Sequence, residues 1–131
     1  MSRKIYYIER VAAIIAAAIL IQTLYFKFTG HPESVRIFSD LGIEPYGRIG
    51  LGVIELITAL MILIPRIAAH GGLLGSGIML GAIASHFFIL GIEVNNDKGM
   101  LLVMAIITFI CCLIVLFSRK DQIGSFIRRD R

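Results

Sequence analysis

Four long apolar blocks joined by short polar connections predict an all-α protein: an integral membrane four-helix bundle with a short amphipathic interfacial helix between the first two spans. Three observations carry this. Hydrophobic residues make up 57% of the 131 residues, above the roughly 45–50% usual for soluble domains. They fall into blocks near the 20 or so residues that a bilayer-crossing helix needs. The longest polar connection, residues 29–46, leaves no room for a separate soluble domain. Residues 1–131 are therefore expected to form a single membrane domain, with spans over 9–28, 46–64, 68–90 and 100–118 and a surface helix over 32–41.

The formal net charge of +4 could suggest nucleic acid, but its placement argues otherwise. Basic residues flank the apolar blocks and are not interleaved with aromatic residues along a polar face. The expected partners are the lipid bilayer and a membrane protein or second copy of the chain, with no nucleic acid.

The lead-in MSRKIYYIER is basic and carries Tyr6 and Tyr7, residues suited to a membrane boundary. A basic start before an apolar run also suits a cleaved leader. The small residues Ala16–Ala18 lie inside the block, however, and the bulky ILIQTLYFKF after them offers no cleavage site. We expect the helix to be retained. Alanines four apart, Ala12 with Ala16 and Ala13 with Ala17, permit close helix contact. Thr23 and Lys27 lie one turn apart on one face, and Lys27 taken alone suits a side chain snorkelling to the boundary.

In the loop, Pro32 and Glu33 suit a helix start and Gly42 its end. Val35, Phe38 and Leu41 recur at threes, which predicts a helix lying on the membrane surface. Pro45 marks the turn into the second span. That span, YGRIGLGVIELITALMIL, is apolar or small except for Arg48, Glu55 and Thr58. A carboxylate near mid-membrane costs about 2.5–3.5 kcal/mol on insertion scales, so Glu55 must be protonated, paired or wet.

Pro65 and Arg66 close the span in a tight turn, making the second and third spans antiparallel neighbours. The third span is glycine-rich. Gly71 with Gly75, and Gly77 with Gly81, form G-x-x-x-G pairs expected to pack against other helices. His86 lies near its end, either bonded to a neighbouring helix or functional. The polar turn GIEVNNDKG lacks the spacing of a calcium loop. The fourth span carries adjacent Cys111 and Cys112, which read as small buried hydrophobes. The tail SRKDQIGSFIRRDR suits an anionic membrane surface or a frayed end equally.

Four spans put both termini on one side. That side carries nine of the basic residues and the opposite side four, namely Lys27, Arg36, Arg48 and Lys98. The positive-inside rule then places both termini in the cytoplasm of a multi-pass protein of the cell (plasma or inner) membrane. At a rise of 1.5 Å or so per residue, Glu55 is near the midplane, and Lys27 and His86 lie about 10–13 Å above it. Ionisable groups from three spans thus share the outer half. We expect an outward-opening polar pocket or network lined by Gln22, Lys27, Arg48, Glu55 and His86. A ligand site and a purely structural network both fit this cluster. No metal site is expected and no catalytic residue is assigned.

The chain resembles the DoxX / DoxX-like family of small four-helix membrane proteins. The matching stretches are LYFKF, FSDLGIEPYGRIGLGVIELITALMILIPR and GGLLGSGIMLGAIASHFFILGI, and the likeness covers about residues 10–118. The lysine, glutamate and histidine that recur in the family fall on Lys27, Glu55 and His86. Some relatives, such as DoxD-type subunits, are linked to thiosulfate:quinone oxidoreduction, and others to complexes handling oxidative or thiol stress. The resemblance thus makes a quinone a candidate cofactor. This chain departs from a thiol-redox pattern in having no outward-facing cysteine pair. The readings in play are an accessory subunit, non-catalytic or part of an oxidoreductase complex, binding a quinone, lipid or similar amphiphile; a structural or assembly protein; and, third, proton-coupled transport of a small solute.

Overall fold

The computed structural model describes residues 1–93 and 97–124. Helix α1 (Arg3–Phe28) is followed by α2 (Pro32–Asp40), α3 (Tyr46–Leu63), a 3-10 turn (Pro65–Ile67), α4 (Ala68–Ser85) and α5 (Met100–Ser118). The last turn of α4 widens into a π-helical segment, His86–Leu90. Four helices are long and apolar enough to cross a membrane. The fold is an all-α bundle of the membrane type, and no strand occurs among the described residues.

α1 starts earlier than expected, because Ser2 caps it: the Ser2 hydroxyl accepts from the Ile5 amide at 3.2 Å. α2 begins at Pro32 behind His31, whose ring nitrogen accepts from the Glu33 amide. Asp97 caps α5 by accepting from the amides of Gly99 and Leu101 at 2.8 and 2.9 Å. The expected asparagine turn at Asn95 and Asn96, and the apolar tail residues Phe126 and Ile127, lie outside the described residues.

The four spans close a ring: α1 packs on α3, α3 on α4, α4 on α5 and α5 on α1. α2 crosses one end, touching α1, α3 and the π-helical segment. The centre is built from small residues. Ala13, Ala16, Ala59 and Ala68 are fully buried, whereas Ile14, Tyr25, Leu60 and Phe117 point outward. Large apolar side chains outside and alanine inside suit a lipid solvent, where close backbone approach replaces hydrophobic collapse. Thr58, Ser76 and Thr108 are buried, and each donates to the carbonyl four residues back. Their hydroxyls are thereby satisfied without water.

The glycines of α4 divide by face. A Cβ on Gly71 would stand 2.7 Å from the Ile62 amide nitrogen, and one on Gly75 2.7 Å from Cys112 Sγ. Gly77 and Gly81, expected to pack likewise, are exposed with open space at the Cβ position. The reason is geometric: at about 100° per residue, Gly77 lies some 240° around the helix from Gly71. Gly72 shares the packed face instead, against the Cys112 carbonyl.

Candidate functional site

Two spans meet at an ion pair. Lys27 lies in the last turn of α1 and Glu55 near the middle of α3. Lys27 Nζ is 2.9 Å from Glu55 Oε2, and the two side chains are 13% and 5% exposed. Thr23, one turn before Lys27, accepts from Nζ at 3.1 Å. Its single hydroxyl proton goes to the Leu20 carbonyl at 2.8 Å, while Glu55 Oε2 stands farther off at 3.5 Å. The ammonium has three donors, and these contacts use two.

Gly52 makes the approach possible. A Cβ there would stand 2.9 Å from the Phe28 ring and 3.5 Å from Lys27 Cβ. Arg48, one turn above Gly52, is buried. Its Nε donates to both oxygens of Glu44 at 2.8 and 3.1 Å, and its Nη1 donates to the Lys27 carbonyl. A guanidinium therefore satisfies a carbonyl at the negative end of α1. Gly30, at φ +66, carries the chain past that guanidinium with no side chain in the way.

Of the five residues expected together, Lys27 and Glu55 are bonded, and Arg48 joins them through the Lys27 backbone. Gln22 is exposed on α1, and its amide points to Met104 Sδ on α5 at 3.6 Å. His86 is buried, with Nδ1 3.0 Å from the Gly91 carbonyl. A carbonyl only accepts, so Nδ1 carries the proton and Nε2 is the nitrogen left for another partner. A surface concavity of about 540 Å³ lies elsewhere, against His70, Leu73, Leu74, Gly77 and Ile78. It includes none of the five. Among the described residues, no group of His, Cys, Asp or Glu is placed to hold a metal ion.

Sequence reasoning missed a second cluster at the other end of α1. Glu9 is fully buried and takes the Arg10 fork, Nε and Nη2, at 2.6 Å each. Arg10 also donates to the carbonyls of Ile62 and Leu63 at 3.0 Å, closing the end of α3. The antiparallel pair is thus capped reciprocally: Arg48 of α3 closes α1, and Arg10 of α1 closes α3. The available signal was Glu9 itself, an acid placed between a basic lead-in and an apolar block. For Arg48, the missed signal was Glu44 at the i,i+4 spacing.

Fold and buried charges together define a multi-pass helical membrane protein. The model of the DoxX-like family matches residues 11–114, most of the chain. The chain belongs to that family. No curated protein and no solved structure matches it.

Proposed function

We propose that this DoxX-like protein is an accessory membrane subunit whose Lys27–Glu55 pair binds the polar head of a small amphiphile, a quinone or a lipid. The observation that carries this reading is the ion pair itself, 2.9 Å long and joining two spans. Its ammonium has a donor to spare. A ligand carbonyl would accept from that donor, and Glu55 would hold or release a proton as the ligand changes state. The site lies in the outer half of a cell membrane, with both termini cytoplasmic; the supporting observation is the excess of basic residues at the termini's end.

The second reading is a structural one, favoured by Arg48, whose Nε and Nη1 are engaged by Glu44 and the Lys27 carbonyl. Titrating the purified protein with a short-chain ubiquinone separates the two. The ligand reading expects saturable binding that Glu55→Gln and Lys27→Met each weaken about tenfold or more, with His86→Ala reporting whether Nε2 takes part. Unchanged binding in the first two variants, or none in the wild type, favours the structural reading.

A further inference from the structure

The Glu9 cluster is not used by the proposed function, and its charges do not balance. Glu9 is one carboxylate, and Arg10 already satisfies it with two hydrogen bonds of 2.6 Å. Arg119, just beyond α5, adds a second guanidinium, with Nη2 2.9 Å from Glu9 Oε1. One positive charge is therefore left over. The hydrogen bonds show the same surplus. Arg119 Nη1 reaches the Pro65 carbonyl at 3.3 Å and Nη2 faces Glu9, but Nε has no hydrogen-bond acceptor, although the side chain is only 9% exposed. The Tyr6 ring, 5.7 Å away, offers Arg119 a π face and no charge.

The neighbourhood does not supply the missing anion. Gln122 Nε2 donates to the same Pro65 carbonyl at 2.7 Å, and its Oε1 accepts from the Ala69 amide at 3.0 Å. This staple sets the segment after α5, with exposed Lys120, beside the α3–α4 turn, with exposed Arg66. Arg3 and Lys4 are exposed on the first turn of α1. Asp121 is the one exposed acid among the described residues of these segments. Exposed Tyr6 and Tyr7 mark the level as a membrane boundary.

We propose that this end of the bundle holds the phosphate of an anionic phospholipid between Arg66 and Lys120. The phosphodiester oxygens accept from these two side chains. The headgroup's net negative charge offsets the surplus on Arg119 beneath, in surroundings where screening is weak. The acyl chains lie along the apolar outer faces of the helices. A zwitterionic headgroup brings its own ammonium and offers no such offset.

The test is thermal unfolding of the full chain, delipidated in neutral detergent and followed by far-UV circular dichroism. Phosphatidylglycerol, phosphatidylcholine of the same acyl chains and inorganic phosphate are added in turn. Phosphatidylglycerol is expected to raise the midpoint by about 5 °C, and phosphatidylcholine and phosphate by less than about a third of that. The Arg66→Gln/Lys120→Gln variant changes exposed side chains and should fold; it is expected to lose at least about half of the phosphatidylglycerol shift. Equal shifts from the two lipids, or a full shift in the double variant, would overturn the proposal. An equal shift from inorganic phosphate would overturn the lipid assignment in favour of a soluble anion. Arg119→Lys, which keeps the charge, should retain the lipid preference; its loss would mean that guanidinium geometry, not charge surplus, sets it.

Discussion

Replacing Lys27 by Met removes the ammonium and keeps most of the volume of its stem. Glu55 then faces the bundle at 5% exposure without its 2.9 Å partner, and Thr23 loses a donor at 3.1 Å. Breaking a buried pair from one side typically costs about 3–5 kcal/mol, because it leaves one charge uncompensated. Removing both partners costs far less, since no buried charge remains. A double-mutant cycle in mixed dodecyl-maltoside and dodecyl-sulfate micelles, followed by far-UV circular dichroism, measures this. Lys27→Met is expected to lose about 3–5 kcal/mol, and Lys27→Met/Glu55→Leu to recover at least about half of it. Additivity of the single variants within about 0.5 kcal/mol would refute the coupling.

Three further outcomes follow from the packing. Gly52→Ala forces a methyl to 2.9 Å from Phe28; it should cost about 1–3 kcal/mol and loosen the Lys27–Glu55 pair, visible as weaker coupling in the same cycle. Gly72→Ala meets the Cys112 carbonyl at 2.8 Å and should lower the thermal midpoint, whereas Gly77→Ala, which meets nothing within 4 Å, should be neutral or gain up to about 1 kcal/mol. Glu9→Ala leaves half-buried Arg10 and Arg119 without a counter-charge and should cost about 2–4 kcal/mol, read as a fall in the midpoint that Gly77→Ala does not share.

The four spans were legible because a bilayer demands long apolar helices and leaves little choice of element. Lys27 and Glu55 stood out for the same reason, since a charge inside an apolar block must find a partner. Arg48 was expected to line one pocket with Glu55. Its nearer partner at i−4 competes better, and its long side chain reaches back to the end of α1. The π-helical turn at His86 left no trace in composition, because one extra residue in a hydrogen-bonded ring changes direction without changing polarity. The Glu9 cluster was hidden by its own neighbours. Arg10 and Arg119 fit the expected basic flank of a span, and nothing local reveals that two residues at opposite ends of the chain share one carboxylate. The split of the α4 glycines between a packed and an open face depends on which side of the helix meets α3 and α5, and spacing alone does not fix that.

The most direct test of the ligand reading is native mass spectrometry of the protein gently extracted from membranes, wild type beside Glu55→Gln, with matched melting curves to show that both are folded. The account predicts a bound molecule of quinone or lipid mass on the wild type that Glu55→Gln loses and Arg66→Gln/Lys120→Gln retains. A phospholipid held at Arg66 and Lys120 would show the reverse pattern; a wild-type spectrum with no small molecule, or one in which no adduct is lost in Glu55→Gln, would contradict the account.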